Sequence, residues 1–341
     1  MRILLLATLS TLLAAPAPAP ARTAPPPAAP VYGPELEGYA YPFPVRSFAF
    51  TSQGTRLHMA YLDVPPAAAA TGRTVVLLHG KNFTAATWAP TVRILAQAGY
   101  RVVAPDQIGF GKSSKPEHYQ YSFQQLARNT QALLAAIGVP RATLVGHSTG
   151  GMLAVRYALM FPGQVDQLVL VNPIGLEDWK AKGVPSISVD QWYQRELRVD
   201  ARGLRAYEQA TYYAGQWRPE WDEPVRMLAG LFHGPGRARV AWNSALLYDM
   251  IYTQPVVYEL DQLAVPTLLL IGQKDTTAIG KDLAAPDAAA RLGHYPELGR
   301  LAAQRIPGAR LVEFPDLGHA PQLQDPEAFH AALLAGLAGD R

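Results

Sequence analysis

The chain contains no cysteine. That absence excludes disulfides, thiol catalysis and a lipid-attached N-terminal cysteine. Charge is also sparse. Only 17% of residues are Asp, Glu, Lys or Arg, and the formal net charge is +3. No run of lysines and arginines with interleaved aromatics occurs, which argues against a nucleic-acid partner. The longest N-terminal apolar stretch, residues 3–15, is too short to span a bilayer.

What is present is apolar. With 49% of its 341 residues hydrophobic, the chain can bury a sizeable core as one large domain carrying an insertion. The first residues read as a processing signal. Arg2 supplies a positive charge, residues 3–15 form the apolar region, and Ala17-Pro-Ala-Pro-Ala21 offers A-x-A cleavage options. A signal peptide over residues 1–21 is therefore expected, with an uncleaved anchor as the alternative, and the mature protein is expected in a periplasm or the medium. Residues 22–44 read as a Pro/Ala-rich linker and N-terminal extension, and the part up to Pro30 has a composition that does not pack.

The stretch around Ser148 organises the rest. An apolar strand at residues 142–145 runs into Gly146-His-Ser-Thr-Gly150, followed by a helix to about Met160 and a further strand at residues 167–171. A serine on so sharp a strand-to-helix turn needs flanking residues without a Cβ. The turn would lift the Ser148 hydroxyl above the sheet edge, towards the positive end of the helix that follows. A glycine-flanked serine by itself is often only a loop; the β-turn-α-β setting is what favours a nucleophile.

Buried strands and amphipathic helices alternate through the chain. A hairpin is expected over residues 48–63, turning at Ser52-Gln-Gly54. Strands follow at residues 74–80 and 101–104, then a helix over residues 123–137, N-capped by Ser122 and ended by Gly138. The pattern resumes with strands at residues 266–272 and 310–314, helices at 297–306 and 326–337, and a polar, Ala-rich segment over 276–296. This predicts an α/β fold with a mostly parallel central sheet flanked by helices, built from residues 45–174 and 264–341. Ligand sites in such sheets lie at the carboxyl ends of the strands. His79, Asp106 and Ser148 all fall there.

Between them, residues 175–263 have helical stretches and no buried strand run. Five of the six tryptophans (Trp179, Trp192, Trp217, Trp221 and Trp242) lie in this segment. It reads as an inserted helical cap. Most of its aromatics are expected to form the cap's own small core, and the surplus to roof a pocket for an apolar or acyl substrate.

A serine hydroxyl needs a base. Among eight histidines, His319 is the best placed, because it follows the final strand in a loop that would return over Ser148. His79 and His147 read as loop-shaping hydrogen-bonders, His330 as a packing residue, and His294 as a residue that could line the pocket. The orienting carboxylate is assigned to Asp275, at the end of the strand over residues 266–272, with Glu177 and Asp178 as the serious alternative. Asp316 reads as a turn residue and Asp106 as a structural loop residue.

The order Ser148, Asp275, His319, together with Leu77-Leu-His-Gly80 and Leu317-Gly-His319, resembles the α/β-hydrolase fold family over about residues 45–338. Within it the chain is similar to the capped, esterase-like serine hydrolases. It departs from the epoxide hydrolases and haloalkane dehalogenases, which use an aspartate where this chain has Ser148. The resemblance implies an oxyanion hole made by the backbone N–H groups of Lys81 and Thr149, with Asn82 as the near alternative to Lys81. Lys81-Asn82 also departs from the family, where the first of these positions is commonly apolar or aromatic. No metal or organic cofactor is implied.

Two functional classes remain at this level. One is a serine hydrolase acting on a carboxylic ester of a small, largely apolar molecule. The other is a receptor-like binding protein on the same fold, since fold alone does not decide function; an acyltransferase or perhydrolase is a further enzymatic variant. The set Ser148, Asp275 and His319 favours the hydrolase, because binding alone would not require all three.

Overall fold

The computed structural model describes residues 30–339. Eight strands form one sheet in the order β1-β2-β4-β3-β5-β6-β7-β8. They are β1 (Val45–Ser52), β2 (Thr55–Val64), β3 (Thr74–Leu78), β4 (Arg101–Pro105), β5 (Ala142–His147), β6 (Val165–Val171), β7 (Thr267–Gly272) and β8 (Arg310–Phe314). β1 and β2 pair antiparallel, β2 pairs antiparallel with β4, and all pairs from β4 to β8 are parallel. The α/β class with a mostly parallel sheet is therefore the observed one.

The apolar runs have a direct physical reading. β5 and β7 are buried at every position, because helices cover both faces of a parallel sheet. Alternate residues serve opposite sides. Val76, Leu78, Leu144, Leu168, Leu170, Leu269 and Ile271 join one core, with α2 (Phe123–Ala136), α3 (Thr149–Met160) and a later helix over Tyr295–Arg305. Val75, Leu77, Val145, Val169, Val171, Leu268 and Leu270 join the other, against α1 (Ala89–Gln97) and the C-terminal helix over Pro326–Ala338. Losing one such side chain to alanine costs about 2–5 kcal/mol.

The element boundaries follow local chemistry. Gln53 and Gly54 both take positive φ in the β1–β2 turn, the geometry that tight hairpins require. Ser122 caps α2 by accepting the N–H of Gln125 at 3.1 Å, and Gly138 ends it at φ 70°. A 3₁₀ turn, Ala85–Trp88, leads into α1, which has Pro90 in its first turn. Pro suits that position, where the N–H has no intrahelical partner. The segment expected to be merely polar and Ala-rich holds a 3₁₀ turn at Lys281–Leu283 and a helical turn at Pro286–Ala289.

Between β6 and β7 come four helices, α4 (Val189–Glu196), α5 (Ala201–Thr211), α6 (Asp222–His233) and α7 (Arg237–Thr253). Two tryptophans of this segment stack within it. Trp221 stacks on Tyr213 at 4.1 Å and Trp192 on Tyr248 at 4.5 Å.

The signal peptide expected over residues 1–21 lies outside the described residues. The part of the N-terminal extension that is described is more than a linker. Leu36 is fully buried among Met227, Leu231, Phe232, Val240 and Ala241. Tyr32 N–H donates to the Gly230 carbonyl at 3.1 Å, and Tyr41 hydroxyl donates to Asp106 at 2.6 Å. This strap joins α6 and α7 to the sheet domain. Its proline content hid a few apolar and aromatic anchors. Among the described residues, no helix is long and apolar enough to cross a membrane.

Candidate active site

Ser148 sits between β5 and α3 with φ 56° and ψ −119°, a backbone region that non-glycine residues rarely adopt. The strain rests on the serine, and its neighbours make it possible by being small. Neither Gly146 nor Gly150 has positive φ. A Cβ on Gly146 would collide with the Gly150 carbonyl, and one on Gly150 with the Leu78 carbonyl. Gly80 is equally constrained: its Cβ would lie 3.0 Å from Ser148 Cβ and 2.9 Å from His147 Nδ1. The loop after β3 can therefore lie directly against the turn that carries the hydroxyl.

Three side chains predicted from separate strand ends meet here. Ser148 Oγ lies 2.8 Å from His319 Nε2, and His319 Nδ1 lies 2.6 Å from Asp275 Oδ2. A carboxylate can only accept, so Nδ1 carries the proton and Nε2 is free to accept from the serine. All three are buried, at 4% exposure for Ser148, 0% for His319 and 1% for Asp275. Burial strengthens their mutual electrostatics relative to water.

Asp275 is itself held at both oxygens. Oδ1 accepts Thr277 N–H at 2.8 Å, and Oδ2 also accepts Asn172 Nδ2 at 2.9 Å. Asn172 in turn accepts Gly272 N–H at 2.9 Å through its own side-chain oxygen, so it locks the carboxylate to the end of β7. It adopts φ 39°, which asparagine tolerates better than most residues. Sequence reasoning missed Asn172. An asparagine ending a buried strand beside a carboxylate-bearing strand end was the available signal.

The other candidates are placed elsewhere. Glu177 is buried, but it accepts Gly293 N–H and pairs with Lys182 at 2.6 Å. Asp178 is bonded to Tyr258 hydroxyl and to Lys180 N–H. Neither reaches His319. Asp316 pairs with Lys274 at the surface, and Asp106 accepts from Tyr41, Ala85 N–H and Lys112 N–H as a loop-shaping carboxylate. His294 does not line the pocket; it is exposed, with Nε2 bonded to the Ala290 carbonyl. Its ring satisfies the turn preceding the Tyr295–Arg305 helix.

His79 donates Nδ1–H to the Gly80 carbonyl at 2.8 Å and accepts Gln107 N–H at Nε2. Both ring nitrogens are used in holding loops, and burial lowers its pKa. His147 donates Nε2–H to the His319 carbonyl at 2.8 Å. Burial first, and then the adjacent His319, hold His147 well below the usual histidine range. It is thus a neutral support beneath His319. Tyr212 covers His319 from the helical segment, with ring centroids 4.7 Å apart, and its hydroxyl accepts Asn82 Nδ2 at 3.1 Å. Nothing in the local sequence marked Tyr212 apart from its neighbouring aromatics.

Among the described residues, the backbone N–H groups of Lys81 and Thr149 have no protein acceptor. Thr149 is the first residue of α3, so its N–H belongs to the positive end of that helix. Among those residues the backbone N–H of Asn82 has no protein acceptor either, so it stays the alternative to Lys81, and its side chain donates to the Tyr212 hydroxyl.

A cavity of about 270 Å³ opens beside the loop over residues 81–84 and runs under α6 and α7. Its wall is mainly apolar, with Leu228, Leu231, Phe232, Val240 and Leu247. None of the tryptophans lines it, so the expectation that the segment's aromatic surplus roofs the pocket is met only by Tyr207, Phe232 and Tyr248. A second cavity, bounded by Trp192 and Thr276, shares Glu196, Tyr207 and Tyr248 with the first. Among the described residues, no group of three or more His, Cys, Asp or Glu is placed to hold a metal ion.

A mostly parallel sheet carrying a serine, a histidine and a carboxylate at its strand ends is the build of one class of enzyme, the α/β hydrolases. The chain belongs to the alpha/beta hydrolase fold family, whose model matches residues 73–326. It is similar to a probable hydrolytic enzyme from Pseudomonas aeruginosa PAO1 of known crystal structure. The two share 67% identity over 91% of this chain and 99% of that one, with a TM-score of 0.90. An uncharacterized protein of Mycobacterium bovis is 39% identical over 76% of this chain and 74% of its own length. RutD of Variovorax paradoxus, provisionally named a carbamate hydrolase, is 29% identical over 79% of this chain and 93% of its own. The Bacillus subtilis carboxylesterase CesB shares the fold, with a TM-score of 0.63 at 23% identity over 88% of this chain and 93% of that one. The protein is thus a hydrolase of the α/β fold.

Proposed function

We propose that this hydrolase is an exported serine esterase that cleaves a carboxylic ester, or a related acyl bond, of a small and largely apolar molecule through an acyl-enzyme. The observation that carries the reading is the His319 ring, which bridges Ser148 Oγ at 2.8 Å and Asp275 Oδ2 at 2.6 Å. Ser148 attacks the carbonyl and passes its proton to His319 Nε2. Asp275 orients the imidazole and stabilises the imidazolium that forms. His319 then protonates the leaving alkoxide, and a water molecule repeats the sequence to release the acid.

The unpaired N–H groups of Lys81 and Thr149 are assigned to the developing oxyanion. Each such donor is worth about 2.7–4 kcal/mol of transition-state stabilisation. Residues 175–263 act as a cap, and the apolar cavity beneath α6 and α7 takes the acyl or alkyl group. An alkoxide leaves more easily than an amide nitrogen, which favours esters. The substrate is the only partner this reading needs; nucleic acid has no part in it. Export rests on residues 1–21, and the N-terminal sequence of the protein recovered from the periplasm or the medium tests it.

The activity test is a panel of p-nitrophenyl esters of increasing acyl length, with a p-nitrophenyl carbamate and an anilide alongside, run on the wild type and on Ser148→Ala. The proposal expects ester turnover that Ser148→Ala abolishes. Equal rates for the two proteins would end it, and turnover confined to the carbamate would move the substrate class to that of the RutD relative.

A further inference from the structure

The loop that carries the assigned oxyanion donor is tied to the helical segment by the side chain of the same residue. Lys81 Nζ donates to Ser244 Oγ on α7 at 2.8 Å and lies 3.5 Å from Glu196 Oε2 on α4. Ser244 Oγ in turn donates to Glu196 Oε2. The ammonium also sits 3.8 Å from the centroid of the Tyr248 ring on α7. Lys81 and Glu196 side chains are only 12% and 8% exposed, so the pair is largely desolvated. An ammonium buried in this way persists only if its partners hold it closely.

The rest of the loop points the same way. Asn82 donates to Tyr212, and Phe83 packs on Tyr212 and on His147 at 5.6 and 5.5 Å between ring centroids. Thr84 hydroxyl contacts Met227 sulfur at 3.6 Å. On the sheet side, the loop is pinned by Gly80 against Ser148 and by Ala85 N–H to Asp106 at 2.7 Å. Between those two pins, the partners of residues 81–84 come largely from the helical segment. A simple packing role would be served as well by an apolar side chain.

We infer that Lys81 is a positioning residue whose ammonium, clasped by Glu196, Ser244 and Tyr248, holds its own backbone N–H in register for the oxyanion, so that seating of α4 and α7 completes the hole. The inference rests on the serine-hydrolase reading and extends it: transition-state stabilisation is coupled to the helical segment, beyond that segment's role as a roof. Burial lowers the pKa of Lys81, and Glu196 offsets part of that effect, which fits a cation kept charged by its clasp.

The test compares Lys81→Met, Lys81→Arg and Glu196→Gln with the wild type and with Ser148→Ala. Each is measured for kcat and KM on a p-nitrophenyl ester, for affinity towards an alkyl boronic acid, and for affinity towards an unreactive ketone of the same chain length. The boronic acid forms a tetrahedral serine adduct that needs the oxyanion hole; the ketone reports ground-state binding.

Lys81→Met and Glu196→Gln are expected to lower kcat about 10- to 100-fold, the scale of a small misplacement of a catalytic group. Boronate affinity should fall in parallel, while KM and ketone affinity stay within about threefold. Arginine keeps the charge and the capacity to pair with a carboxylate and stack on an aromatic ring, so Lys81→Arg should retain most of the rate. Should Lys81→Met fail to fold, Glu196→Gln gives the same test with Lys81 intact. The inference is overturned if the variants keep wild-type kcat and boronate affinity, or if ketone affinity falls as far as boronate affinity. A Ser148→Ala protein with undiminished turnover would instead sink the hydrolase reading on which the inference rests.

Discussion

Glu208, on α5, is fully buried at 0% exposure, and neither carboxylate oxygen has a hydrogen-bond partner among the described residues. Burial pushes its pKa from the usual 4.5 up to about 8, because an ionised carboxylate without donors is strongly disfavoured in a low-dielectric interior. The sign of the consequence is fixed by linkage. A group whose folded-state pKa is raised favours folding fully below the unfolded value, near 4.5, and loses that contribution as pH rises towards about 8. The slope within that window approaches 1.4 kcal/mol per pH unit, so the whole span is worth on the order of 2–5 kcal/mol. Glutamine at this position does not titrate. Urea unfolding of the wild type and Glu208→Gln at pH 5, 6.5, 8 and 9 isolates the effect, because every other titrating group is common to both. Relative to Glu208→Gln, the wild type should lose stability steadily up to about pH 8 and then run parallel to it. A difference that does not change with pH would refute the reasoning. The place matters for function, because the Glu208 carbonyl accepts the N–H groups of Tyr212 and Tyr213, and Tyr212 is the ring packed on His319.

Two further perturbations follow from the geometry. Asn172→Asp replaces the amide that donates to Asp275 Oδ2 at 2.9 Å with a second carboxylate, and should lower kcat about 10- to 100-fold by misorienting His319; steady-state kinetics with an unchanged circular dichroism spectrum checks it. Tyr41→Phe removes the 2.6 Å hydrogen bond to Asp106, and should cost about 1.5–3 kcal/mol of stability in urea, the range for bonds to charged groups.

Much of this architecture was legible in the sequence for a physical reason. Strands covered on both faces must be apolar at nearly every position, so β3, β5, β6 and β7 stood out as runs. Ser148, Asp275 and His319 each end or follow such a strand, and a parallel sheet brings those ends to one edge. What stayed hidden depends on contacts between distant segments. Asn172 reaches Asp275 across 103 residues, and no local pattern announces that pairing. Tyr212 looked like one more aromatic of the helical segment, and Lys81 gave no hint of its partners on α4 and α7. The segment's aromatics were expected to be divided between core and pocket, and of them only Tyr207, Phe232 and Tyr248 stand in the wall of the cavity beside the loop over residues 81–84. Residues 22–44 read as a linker and extension because prolines and polar residues diluted Leu36 and Tyr41, two of the side chains that anchor its described part.

The most direct test of the account is covalent. A fluorophosphonate reacts with a serine only where a base activates it and donors receive the new oxyanion. The account predicts one label per chain, carried by the Ser148 hydroxyl and located by peptide mass spectrometry, with labelling that collapses in His319→Ala. Labelling at another residue, or an undiminished rate in His319→Ala, would contradict it.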